Sequence, residues 1–203
     1  LKDKPQYIYD NYKMLYQVPV ALDLTAHRLI GIVGGDQKRG AIEVAKLLSA
    51  QIAAANCYTE VKLAYAYDQM NSADADQWEF AKWLPHTWSQ DHQVRFVGTN
   101  KATCSDLFYE LTKLFRRREE VAEKMEHQFY CPHIVLFVSD PQLLSGELLG
   151  KYAFEEKLNY GLTTILLTDD REQLPNSCQF IIENSEAFQG MYDVMAGEDE
   201  RLV

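Results

Sequence analysis

Leu29-Ile30-Gly31-Ile32-Val33-Gly34-Gly35, followed by Asp36-Gln37-Lys38-Arg39-Gly40-Ala41-Ile42, is the stretch that decides the fold. An apolar, β-type run from Arg28 to Val33 stops on paired glycines. Ile42 to Ala55 then continues without a breaker, rich in Ala, Leu and Ile, and predicts a buried helix. A strand, a glycine turn and a helix form the frame that binds phosphate, because backbone N–H groups of the turn and the helix N-terminus point at the anion. The strict loop reads Gly-x-x-x-x-Gly-Lys-Ser/Thr. Gly35 and Gly40 have that separation, but Ala41 holds the lysine position and Ile42 the hydroxyl position. The lysine neutralises the β- and γ-phosphates, and the hydroxyl completes the Mg²⁺ shell. Alanine and isoleucine supply neither. Asp36 adds negative charge, which Lys38 and Arg39 offset in part. Gly35, Lys38, Arg39 and Gly40 are the candidates for residual nucleotide contact; the alternative is a tight turn whose glycines serve backbone geometry alone.

Outward from this loop the chain alternates strands and helices. Pro19 to Leu24 reads as a first strand, Val61 to Tyr67 as another, and Val94 to Val97 as a short one. Residues 102–127 predict a long helix, with Leu107, Phe108, Leu111, Leu114 and Phe115 on one face. Ile134 to Val138 is wholly apolar, as a strand covered on both faces must be. Glu147 to Leu158 reads as a helix, and Thr163 to Leu167 and Gln179 to Ile182 as strands. The expected fold is a three-layer, Rossmann-like α/β domain with a mostly parallel sheet. The second apolar strand ends in Ser139-Asp140-Pro141. Phosphate-hydrolysing relatives of this frame end that strand in Asp-Glu. Asp140 is a candidate for a metal shell, but Pro141 stands where the base belongs and has no proton-accepting side chain. Two frames, each lacking its chemical group, predict a degenerate P-loop fold with no catalytic residues.

The 203 residues suit one α/β domain. A net charge of −10 disfavours nucleic acid, since basic groups cluster only at Arg116, Arg117 and Arg118, and Glu119 and Glu120 follow at once. That run reads as a solvated helix face, or as a contact for an acidic partner. Four cysteines, Cys57, Cys104, Cys131 and Cys178, form no CxxC pair, so neither a zinc ribbon nor a thioredoxin site is suggested; no metal and no cofactor are expected. No run of about 18 apolar residues spans a membrane. No Gly-x-Gly-x-x-Gly follows Val33, so a dinucleotide enzyme lacks its fingerprint. The chain starts without Met, as a piece of a longer polypeptide would.

All three tryptophans fall between Asn71 and Trp88. Trp78, Trp83 and Trp88 are spaced by five, which no single helix face explains, and Pro85 breaks a helix near Leu84. Trp78, Trp83, His86 and Trp88 are interaction candidates; the competing reading is a core plug over a sheet edge. A lone His86 is no evidence of metal or catalysis.

Val18-Pro-Val-Ala-Leu-Asp-Leu24, His27-Arg28-Leu29-Ile30-Gly31-Ile32-Val33-Gly34, and above all Trp83-Leu84-Pro85-His86 after Trp78, resemble a domain of the FtsK/SpoIIIE-type motors of type VII secretion, the EssC and EccC proteins. The resemblance covers residues 15–195. It implies the degenerate ATPase-like domain, called DUF or ATPase zero, between the membrane helices and the first ATPase module. It implies a scaffold that couples the two on the cytoplasmic face of the membrane. The implied partners are adjacent ATPase modules, neighbouring subunits of a homo-oligomer and membrane components, with no nucleic acid. On this reading residues 1–17 lead in from the membrane, 18–195 form the domain, and 196–203 link to the next module. The alternative is a nucleotide-sensing domain that binds ATP weakly without hydrolysis.

Overall fold

The computed structural model describes residues 6–8, 20–71, 73–74, 76–122, 130–155, 159–195 and 200–201. Eight strands form one sheet: β1 Leu29–Val33, β2 Val61–Ala66, β3 Val97–Gly98, β4 His133–Val138, β5 Leu162–Thr168, β6 Phe180–Asn184, β7 Gln189–Asp193 and β8 Glu200–Arg201. Their order is β3-β2-β4-β5-β1-β6-β7-β8. Pairing is parallel from β3 to β6 and antiparallel from β6 to β8. The helices are α1 Arg39–Ala55, α2 Lys101–Ala122 and α3 Gly150–Phe154, with short 3-10 turns between.

Alternation along each strand sends side chains to two separate cores. Ile30, Ile32, Leu63, Tyr65 and Phe137 meet Ala41, Ile42 and Ala45 of α1 on one face. Leu29, Val33, Ala64 and Ile134 meet Phe108, Leu111 and Phe115 of α2, with Tyr152 and Ala153 of α3, on the other. The sheet is thus the middle of three layers, as the unbroken apolar strands require.

Four readings of the sequence change. Residues 20–23 form no strand, and Pro19 lies outside the described residues. Asp23 turns the chain instead: its Oδ1 accepts from the Thr25 N–H at 2.8 Å and the Thr25 hydroxyl at 2.7 Å, a carboxylate replacing a backbone acceptor. The short strand expected at Val94 to Val97 is displaced to Val97–Gly98. The helix expected over 147–158 shrinks to Gly150–Phe154, after which Glu155 is extended; 156–158 lie outside the described residues. The antiparallel edge was missed, because Gln189-Gly190-Met191-Tyr192-Asp193 has no apolar run. The turn before it closes through the Ser185 N–H on the Phe188 carbonyl at 2.9 Å. Residues 200 and 201 form β8, paired antiparallel with β7.

Candidate functional site

The loop after β1 sits at the carboxyl end of the parallel strands, the end at which α/β sheets bind ligands. Gly35 has φ 67 and ψ −156, a backbone shape that favours glycine. Gln37 and Lys38 follow in the left-handed region, with φ 54 and 53. Helix α1 begins at Arg39, and Gly40 lies against β6: a Cβ there would stand 1.6 Å from the Asn184 carbonyl oxygen. The Asn184 Nδ2 donates to the Gly40 carbonyl at 3.1 Å, tying helix to sheet.

The loop has the shape of a phosphate cradle, yet five of its amide donors are already used. The Gly34 N–H donates to the Thr168 carbonyl at 3.0 Å and the Gly35 N–H to the Asp169 carbonyl at 3.1 Å. The Lys38 N–H donates to the Gly35 carbonyl and to Asp169 Oδ1, each at 2.9 Å. The Arg39 N–H goes to the Asp36 carbonyl, and the Gly40 N–H to the Gly34 carbonyl at 3.1 Å. Asp169, at the end of β5, therefore does for the Lys38 amide what a phosphate oxygen would do.

Side chains complete the closure. Lys38 turns inward, 6% exposed, and its Nζ donates to the Ser139 carbonyl at 2.6 Å. Ser139 Oγ donates to Asp74 Oδ2 at 2.8 Å, and Trp78 Nε1 donates to Asp74 Oδ1 at 3.1 Å. One buried polar chain thus joins the loop, the end of β4 and the tryptophan segment. Asp140 caps the following 3-10 turn, accepting from the Gln142 N–H at 2.8 Å. Ala41 and Ile42 are buried in the α1-side core, facing away from any phosphate. An open cleft of about 540 Å³ lies beside the loop. Asp36, Glu43, Asp169, Asp170, Glu183 and Glu186 line it, against Arg39 and Arg171, so its charge opposes a polyphosphate. Among the described residues, no group of three His, Cys, Asp or Glu side chains is placed to hold a metal ion.

The structure brings Gly35, Lys38, Arg39 and Gly40 together with Asp140 at one end of the sheet. Of the two basic groups only Arg39 is exposed. The interaction candidates separate. Trp78 is 2% exposed, against Tyr65 and Tyr67, and is a core plug. Trp88 is half-buried under the Arg95 guanidinium, 4.3 Å from its ring. Trp83 is 80% exposed. His86 is buried, its Nε2 3.0 Å from the Asn56 carbonyl, which answers to a structural role. Arg116 and Arg117 are exposed, but Arg118 corrects the solvated-face reading. It is 8% exposed and donates to the Tyr160 carbonyl at 2.6 Å and the Pro132 carbonyl at 2.5 Å. Burial lowers its pKa to about 10. Sequence reasoning missed Asp74, Ser139 and Asp169, which carry no motif and matter only through what they accept or donate.

No family model matches the chain. Over 185 residues, 90% of its length, it is 26% identical to the ESX secretion system protein EccC of Geobacillus thermodenitrificans. Over 192 residues, 94% of its length, it is 26% identical to the ESX secretion system protein YukB of Bacillus subtilis. Its relatives are proteins of type VII secretion. The type VII secretion system protein EssC of Staphylococcus aureus adds 21% identity over 94% of the chain. The chain spans 12% of the EccC and YukB relatives and 13% of EssC. The cytoplasmic domain of the Thermomonospora curvata type VII secretion ATPase EccC shares the fold, with a TM-score of 0.59 at 12% identity, over 91% of this chain and 24% of that one. The structure of ATPases 2 and 3 of the same EccC, in complex with a signal sequence peptide, gives 0.58 at 19% identity, over 82% and 33%. The fold is therefore that of an EccC ATPase domain, mostly parallel α/β, whereas the loop's ligand-binding groups point elsewhere. Among the described residues no helix is long and apolar enough to cross a membrane.

Proposed function

We propose that this domain is a non-catalytic coupling and scaffold unit of a type VII secretion motor. In this reading it joins the membrane channel to the ATPase modules, at the cytoplasmic face of the membrane and within a homo-oligomer. The observation that carries the reading is the self-satisfied loop. The amides of Gly34, Gly35, Lys38, Arg39 and Gly40 are bonded to protein oxygens, the Lys38 ammonium is drawn onto the Ser139 carbonyl, and Ala41, Ile42 and Pro141 supply none of the groups that phosphoryl transfer uses. What remains for such a fold to offer is surface and rigidity. The exposed Trp83 is the natural docking residue toward an adjacent module or subunit.

Calorimetry of the purified chain with Mg²⁺ and ATP tests the reading. The expected result is no saturable heat into the millimolar range, on the order of 4 kcal/mol of binding or less, and no turnover above the buffer blank. Saturable binding without turnover favours the nucleotide-sensing alternative. Turnover that Asp140→Asn abolishes overturns the non-catalytic reading. Ala41→Lys should create no activity, because it places an ammonium in the α1 core while Ile42 and Pro141 stay silent.

A further inference from the structure

Lys62, the second residue of β2, has no role in the loop or in its closure. It lies at the amino end of the sheet, opposite the degenerate loop, and is 3% exposed. Its stem shares the α2 face of the sheet with Ala64 and Ile134. Its Nζ lies 5.5 Å from the centre of the Tyr58 ring. Among the described residues no oxygen is placed to accept a hydrogen bond from it, and no carboxylate pairs with it. Burial pushes its pKa down.

The ammonium lines the floor of a cleft of about 510 Å³, between α2 and the loop that leads from Trp88 to β3. Val94, Phe96, Leu114 and Ile134 give the cleft apolar walls, and Arg117 stands on its rim as an exposed second cation. The acids of the cleft are already engaged. Glu110 pairs with Lys113 at 2.7 Å, and Asp91 accepts from Ser89 Oγ at 2.6 Å and from the Gln93 N–H at 3.1 Å. A lysine buried along its stem, with no protein acceptor among the described residues, beside apolar walls and a charged rim, defines a small ligand class. The charge must be single, because Asp91 and Glu110 repel a dianion. The rest of the ligand must be apolar near the charge, with polar groups to meet the loop.

We propose that this cleft binds the carboxylate of an acidic side chain within an apolar peptide segment of a partner protein, with Lys62 as the buried charge partner and Arg117 as a second donor at the rim. The inference is independent of whether the loop at the other end binds nucleotide.

The test follows the Lys62 side-chain NMR signals of the 203-residue chain during titration. The probes are the tripeptide amides acetyl-Leu-Glu-Leu and acetyl-Leu-Gln-Leu, octanoate and inorganic phosphate. The glutamate peptide should shift Lys62 saturably and bind about tenfold tighter than the glutamine peptide, a difference of about 1.4 kcal/mol. Lys62→Met keeps the stem and should remove that preference; Arg117→Gln, at an exposed position, should weaken glutamate binding severalfold while leaving the melt unchanged. Equal binding of the two peptides, no saturable shift of Lys62, or an unchanged preference in Arg117→Gln overturns the proposal. Tighter binding of octanoate overturns the peptide source, and tighter binding of phosphate overturns the carboxylate. Should Lys62→Met fail to fold, the wild-type titration and Arg117→Gln decide the matter.

Discussion

Lys38 and Lys62 both lie almost wholly inside the protein, at opposite ends of the same parallel sheet. At the carboxyl end Lys38 donates to the Ser139 carbonyl, and that contact continues through Ser139 and Asp74 to Trp78. At the amino end the Lys62 ammonium faces Tyr58, with no hydrogen-bond acceptor among the described residues. The carboxyl end of the sheet thus turns Lys38 on the protein itself, while the amino end keeps a lysine over an open cleft. Buried polar groups are generally paired. A paired lysine reports internal closure, and an unpaired one marks the place to look for a partner.

The first way to break this contrast is Trp78→Ala. Removing a fully buried indole and stranding Asp74 should cost about 3–5 kcal/mol, seen as a fall in Tm of about 10 °C for a chain of this size. An unchanged melt would mean that the tryptophan segment does not help to seal the carboxyl end. The second bears on the amino end, where His133 opens β4 with its Nε2 2.8 Å from Thr163 Oγ1. Burial, then the charge of Arg118, lowers its pKa from 6.5 to about 4. Between those values the unfolded chain binds a proton that the folded chain refuses. Stability should therefore fall as pH drops from about 6.5 to 4 and this contribution should level off below, a loss of about 3 kcal/mol at most. His133→Gln should flatten that part of a stability–pH curve measured by urea unfolding. The third is Lys38→Met, which keeps the stem and removes the donor to Ser139. It should cost about 1–3 kcal/mol in the same assay and still yield no heat with Mg²⁺ and ATP, because Asp169 and the loop carbonyls continue to hold the amides. The smallest effect belongs to Trp83→Ala, within about 0.5 kcal/mol of wild type, combined with impaired secretion by the full-length protein. A collapse of the fold would place Trp83 with Trp78 and remove the docking reading.

The strand–loop–helix frame was legible from Leu29 to Ala55, because two glycines at fixed spacing between apolar runs admit few structures. β4 and β5 were legible because strands buried on both faces read as nearly continuous apolar runs. The antiparallel strands β7 and β8 were not, since β7 is mostly part-exposed and β8 is a two-residue edge, and propensity there is weak. Arg118 was misread for a related reason: in a run of three arginines, spacing alone does not say which guanidinium will reach the Tyr160 and Pro132 carbonyls. The departures from the strict phosphate-loop pattern were visible in Ala41, Ile42 and Pro141. The replacement wiring through Asp169, Ser139 and Asp74 was not, because it joins residues up to 131 positions apart, as between Lys38 and Asp169. Lys62 left one trace in the sequence, a charge set inside an otherwise apolar strand.

The contact between Gly40 and Asn184 has a mechanical meaning. With no side chain between them, the first turn of α1 rests on the backbone of β6, and the Asn184 amide fastens it there. Such a joint has no compliant layer to absorb displacement. A pull along α1 passes directly into β6, and from there across the antiparallel pairing to β7. Any side chain at position 40 would insert a spacer, so the stiffness of this corner rests on the smallest residue in the loop.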